Sequence, residues 1–130
     1  VGVEVDPEAI RVARTNARAA GVECRFVVGD VTTLDHDVDT VLMNPPFGAQ
    51  RRHADRPFWE TGFARARRAV YAFALCDSRS FIVERAVARG ARIETTRRVP
   101  WNLPATFPHH RERQRFLDVD LWVIRVSEEE

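Results

Sequence analysis

The chain has 130 residues, 45% of them hydrophobic and 30% charged, with a net charge of +1; this is one domain at most, with enough material for a core. No run approaches the roughly 20 apolar residues that a bilayer span requires, which argues against a helical membrane protein. Cys24 and Cys76 stand far apart without a Cys-x-x-Cys pair, so a disulfide scaffold is disfavoured and a reduced, cytoplasmic setting is expected.

Val1 to Val5 reads as a buried strand with the Glu4 carboxylate near its end. Asp6 then caps a helix, Pro7 takes its first position, and Ile10, Ala13, Ala17 and Ala20 recur on one face until Gly21 stops it. Glu23 to Val28 is the next strand, and Asp39 to Met43 the third. Residues 44–57 read as a long loop holding Arg51, Arg52, His53 and Arg56, residues 58–68 as a helix, and Val70 to Ala74 as a strand. From Ser78 to Arg89 the positions Phe81, Ile82, Val83, Ala86 and Val87 suit a helix closed by Gly90. A strand over 92–98, a proline-broken loop over 99–108 and a strand over 115–126 complete the pattern. Strands alternating with helices predict an α/β fold with a mostly parallel sheet and an antiparallel C-terminal strand. With no repeat, low-complexity linker or internal boundary, residues 1–130 read as a single domain.

Charge is distributed unevenly. Residues 1–50 carry four Arg against eight acids, and residues 51–125 carry sixteen Arg against eight acids. All 20 basic residues are Arg, whose planar guanidinium suits bidentate phosphate recognition and base stacking. The second half is expected to face nucleic acid, the alternative being an ordinary solvated surface. His109 and His110 are adjacent, nothing nearby completes a ligand set, and no protein-bound metal is expected.

The most informative segment is Asn44-Pro45-Pro46-Phe47, directly behind the apolar run Thr40-Val41-Leu42-Met43. Two prolines fix φ and deny the backbone a helix or ladder, so the Asn44 side chain and the Pro45 carbonyl become pre-aimed acceptors beside an aromatic plate. A planar amine is the natural guest, its N–H bonds drawn by those oxygens while its lone pair points elsewhere. The blander reading is a rigid turn after a strand.

That tetrapeptide resembles the catalytic motif of the amino-directed class I methyltransferases. Together with Val1 to Asp6, the Val28-Gly29-Asp30-Val31 turn, and the tail Leu103-Pro104-Ala105-Thr106-Phe107-Pro108-His109-His110 followed by Asp118-Val119-Asp120-Leu121, it is similar to the methyltransferase-like protein 5 family. The resemblance implies a Rossmann-like class I methyltransferase sheet, S-adenosylmethionine as cofactor, and methylation of adenine N6 in RNA, small-subunit ribosomal RNA in that family. It implies catalytic roles for Asn44, Pro45, Pro46 and Phe47, with Asn44 also bordering the cofactor. Glu4 would accept from the ribose hydroxyls, where the family more often has Asp. Asp30 and the Val31 N–H would read the adenine edge, with an Asx turn as the alternative for Asp30; Asp6 is better explained as the helix cap. Arg51, Arg52, His109, His110, Arg111 and Arg113 would hold RNA phosphates. A small zinc-ribbon activator protein, known as a partner in that family, would pair with the 23–28 strand edge.

No Gly-x-Gly occurs anywhere, although a nucleoside-binding α/β domain opens with a strand and a glycine-rich turn, its ribose acid roughly 20 residues on. Here the acidic strand comes first. The chain is therefore expected to be the C-terminal part of a longer domain, lacking the first strand and glycine-rich loop, and to be inactive by itself. Two alternatives are open: an N-methyltransferase acting on DNA adenine, guanine N2 or protein glutamine, and a non-catalytic RNA-binding remnant of such a domain.

Overall fold

The computed structural model describes residues 1–46, 53–104 and 114–127, with backbone only over 101–104 and 114–117. These form two compact units, Val1–His36 and Asp37–Glu130.

In the first unit, strand β1 (Gly2–Glu4) pairs in parallel with β2 (Phe26–Val28), Gly2 opposite Phe26 and Glu4 opposite Val28. Helix α1 (Pro7–Ala20) makes the crossover. Its start follows from chemistry: Pro7 needs no N–H partner, and the Asp6 carboxylate accepts from the Glu8 N–H at 2.9 Å. Its end follows from Gly21, whose φ of 69° suits a left-handed cap and whose N–H reaches the last-turn carbonyls. Ile10 is buried and Ala13 and Ala17 half-buried, as the helical spacing predicts, whereas Ala20 is exposed. Glycine is required at position 2, where a Cβ would lie 2.8 Å from the Phe26 ring.

The second unit is a four-stranded sheet in the order β3 (Val38–Met43), β4 (Ala66–Leu75), β6 (Gln114–Arg125), β5 (Arg92–Pro104). β3 and β4 are parallel, and β6 is antiparallel to both of its neighbours. Val70, Ala72, Ala74, Trp122 and Ile124 meet Trp59 and Phe63 of helix α2 (Arg56–Arg65) and Ile82 and Ala86 of helix α3 (Arg79–Ala88) in one core. Trp59 and Trp122 pack edge to face at 6.4 Å, and burying each ring is worth on the order of 5 kcal/mol of transfer free energy. Strand residues of the opposite parity, Leu42, Tyr71, Phe73, Leu121 and Val123, line the other sheet face.

The expected α/β pattern with its antiparallel C-terminal strand is observed, with four corrections to element bounds. β2 begins at Phe26 rather than Glu23, because it pairs only as far as three-residue β1 extends. α2 begins at Arg56, inside the expected loop, since Asp55 O already accepts from the Phe58 and Trp59 N–H groups. It ends at Arg65 rather than 68, and β4 follows at Ala66 with no connecting loop. β5 runs unbroken through Pro100 to Pro104 where a loop was expected; as the outer strand of the sheet it tolerates prolines, whose missing N–H costs nothing on an unpaired side.

Candidate functional site

In the first unit the parallel ladder brings two acids to neighbouring strand tips. The Gly29 N–H donates to the Glu4 carbonyl at 2.9 Å, so β2 continues past its last paired residue and turns at Asp30 beside the end of β1. The Glu4 side chain is exposed, and its Oε1 accepts from the Asp6 N–H at 3.3 Å, which orients the carboxylate. Asp30 caps a short 3-10 turn, Val31–Thr33. Its Oδ1 accepts from the Thr32 N–H at 2.8 Å and the Thr32 hydroxyl at 2.7 Å; these bonds, the hydroxyl first, hold its carboxyl below the usual aspartate range. The Asx-type turn is thus present, and it presents the acid in its ionised form. The Val31 N–H occupies the first position of that turn, where the helical pattern supplies no acceptor. Carboxylate acceptors at the C-terminal ends of adjacent parallel strands suit a nucleoside's hydroxyl and amino donors. Gly29 keeps this turn narrow, since a Cβ would meet Thr33 Oγ1 at 2.9 Å.

In the second unit Asn44 follows the last residue of β3, exposed at the C-terminal end of the strand, with Pro45 buried behind it and Pro46 exposed. A cleft of about 330 Å³ opens there, lined by Leu42, Met43, Asn44, Tyr71, Ala72, Phe73 and Leu121. Its walls are mostly apolar and aromatic, with Asn44 and Tyr71 as the lining residues that carry polar side-chain groups. That combination suits a flat, weakly polar ring with one amino group to be recognised.

Three further groups at this end of the sheet have no site role assigned from sequence, although Arg56 and Asp120 are named there in the 44–57 loop and the 118–121 motif. Asp55, buried at the start of α2, accepts from the Ser78 hydroxyl at 2.6 Å, which ties the first residues of α2 and α3 together. Asp120 on β6 is fully buried; both its oxygens take bonds from Arg79 Nη2 at 2.9 Å, and Oδ1 also accepts from Arg98 Nε at 3.0 Å. Arg56 lies over the Phe81 ring, 4.7 Å from its centroid. The signal for Asp120 was parity: it shares the strand face of Trp122 and Ile124. The Cys76 thiol is pushed up chiefly by burial, then by Asp77, which makes it a poor nucleophile.

Phe47, Arg51, Arg52, His109, His110, Arg111 and Arg113 lie outside the described residues. Among the described residues no group of three or more His, Cys, Asp or Glu could hold a metal ion, and no helix is long and apolar enough to cross a membrane.

Residues 1–71 match the family described as methyltransferase small domain. Across 99% of its length the chain is 33% identical to an rRNA N(6)-adenosine-methyltransferase of Drosophila melanogaster, covering 64% of that protein. It is 29% identical to the enzyme of the same description from Caenorhabditis elegans, over 93% of this chain and 62% of that one. A solved structure from Pyrococcus horikoshii, assigned as an RNA methyltransferase, superposes with a TM-score of 0.81 at 34% identity, over 95% of this chain and 61% of the other. The chain thus spans a little under two thirds of the length of these relatives, and its fold is that of the class I methyltransferases.

Proposed function

Because this chain belongs to the methyltransferase small domain family, we propose that it is part of an enzyme that moves a methyl group from S-adenosylmethionine to the N6 amino group of an adenine in RNA, with small-subunit ribosomal RNA as the target class. The observation that carries this reading is the placement of Asn44 at the end of β3, at the mouth of an apolar cleft. The names of the relatives support it.

The residues fit the cofactor. Glu4 would accept from the ribose hydroxyls, Asp30 from the donor's adenine amino group, and the Val31 N–H would give a bond back to the ring. When bound, the cofactor supplies an electrophilic methyl group. Asn44 Oδ1 and the Pro45 carbonyl accept the two N6–H bonds of the target adenine. This favours a pyramidal nitrogen, frees its lone pair from the ring, and strengthens as positive charge develops on the nitrogen. Pro45 and Pro46 hold both acceptors still, so little reorganisation accompanies attack. The proton leaves after the new N–C bond forms, and no strong base is needed. Tyr71, Phe73 and Leu121 exclude water from the cleft. Phe47 would carry the ring of a base taken out of its stack.

The same reading places a small zinc-ribbon activator at the edge of β2, RNA phosphates on Arg51, Arg52, His109, His110, Arg111 and Arg113, and the enzyme in the cytoplasm. The test is transfer of labelled methyl to RNA, DNA and protein offered in parallel, with the product nucleoside identified by mass. N6-methyladenosine in RNA is the expected product; label confined to DNA or protein contradicts the RNA assignment.

A further inference from the structure

The arginines that the proposed site leaves unused at the C-terminal edge of the sheet form an ordered row. Arg56 opens α2 and Arg79 opens α3, and the two helix starts are joined by the hydrogen bond from Ser78 to Asp55. Arg98 follows on β5, opposite Asp120 in the β5–β6 ladder. Asp120 lies opposite Ala74 on β4, two residues beyond the level at which Met43 pairs with Ala72. Asp120 and Arg98 therefore stand at the level of Pro45, with Asp120 two strand spacings from it, about 10 Å across the sheet, and Arg79 is held to Asp120 by its side chain.

Each guanidinium in the row is held without being used up. The Arg56 group rests on the Phe81 ring and makes no ion pair among the described residues. Arg79 commits only Nη2 to Asp120, and Arg98 commits Nε to Asp120, with Nη1 at 3.5 Å from Asp118. Both side chains are 48% exposed while Asp120 is 0% exposed. A carboxylate sealed beneath two half-exposed arginines fixes their rotamers from below and leaves outward N–H donors unspent. On an unfixed surface arginine, immobilisation on binding would cost side-chain entropy; here folding has already met that cost.

We infer that Arg56, Arg79 and Arg98 are a preorganised phosphate track that receives the RNA backbone beside the target adenine, with Asp120 as its positioning residue. The inference rests on the RNA substrate of the proposed function and names the part of the chain that grips it. Phosphodiesters fit the track better than an acidic peptide, because the donors are spaced along an edge and their planar forks match paired phosphate oxygens.

The test is fluorescence anisotropy of a labelled single-stranded RNA containing one adenine, across a salt series, with Arg56→Gln, Arg79→Gln and Arg98→Gln, and with Arg67→Gln at the opposite end of β4 as control. Each track variant is expected to weaken binding roughly 3- to 10-fold and to lower the salt slope by about 0.7, the value for one phosphate contact on a single strand. Arg67→Gln should change neither. Unchanged affinity and slope in a folded Arg56→Gln variant overturns the track, and so does an equal loss in Arg67→Gln. Among the described residues the Arg56 guanidinium contacts a ring face and no ion-pair partner, so this variant should fold even if the Asp120 variants do not. Independently of any variant, a neutral methylphosphonate scanned along the RNA should weaken wild-type binding at positions next to the adenine; a flat scan also overturns the track. Methyl transfer to the same RNA is read separately, in the intact enzyme: transfer with unchanged slopes means that the track fails alone, and altered slopes without transfer means that the assigned reaction fails alone.

Discussion

The Gly29 N–H donates to the Glu4 carbonyl oxygen at 2.9 Å, and this bond carries the β1–β2 ladder one step past its last paired residues into the turn that presents Asp30. Two carboxylates thereby come to adjacent strand tips. Each has one oxygen steadied by a backbone N–H, Glu4 by Asp6 and Asp30 by Thr32.

On the proposed reading, replacing Glu4 removes the acceptor for the ribose hydroxyls without touching the ladder, which uses only its backbone. Glu4→Ala should weaken binding of S-adenosylhomocysteine roughly ten- to hundred-fold, the range for hydrogen bonds to a charged group. Glu4→Asp should retain most of the affinity. Calorimetry checks both, and an unaltered Kd in Glu4→Ala would remove Glu4 from the site.

Asp30 is ionised more readily than a free aspartate because the Thr32 hydroxyl and N–H bond its charged form. A carboxyl whose folded value lies below the ordinary 3.8 stabilises the fold fully above that value, and the contribution is lost as pH falls through the lower folded value. Thr32→Val removes the larger of the two bonds and should move the Asp30 carboxyl up toward 3.8. Carbon-detected NMR titration of the carboxylate reads this directly. No upward movement would show that the hydroxyl does not set the titration.

Trp59 and Trp122 each bury an indole N–H with no partner among the described residues. Trp122→Phe loses packing area but also removes a desolvated donor, so it should cost no more than about 1.5 kcal/mol. Trp122→Ala opens a cavity against Trp59 and should cost about 3–5 kcal/mol. Urea denaturation separates the two, and equal costs would mean that the indole N–H is in fact satisfied.

Much of this fold was legible because its signals are local. Asp6, Pro7 and Gly21 each carry a backbone preference that needs no tertiary partner, and α1 starts and stops where they dictate. The misread bounds are those set by neighbours. β2 is short because β1 is, and β5 passes through Pro100 because its outer side has no partner strand among the described residues. Of the proposed site residues, Asn44 and Glu4 could each be read from a position at a strand end. Asp120 could not be given a role before the fold, since its partners Arg79 and Arg98 are 41 and 22 residues away. Only the β5–β6 ladder and the start of α3 bring them to it.

The account depends most on Asn44 as an acceptor for the target amino group. The direct measurement is turnover of Asn44→Ala in the intact enzyme with labelled methyl donor and RNA acceptor, alongside its affinity for S-adenosylhomocysteine. Losing one preorganised acceptor should lower kcat roughly 100-fold or more, with cofactor affinity changed much less. Turnover equal to that of the unaltered protein would contradict the account.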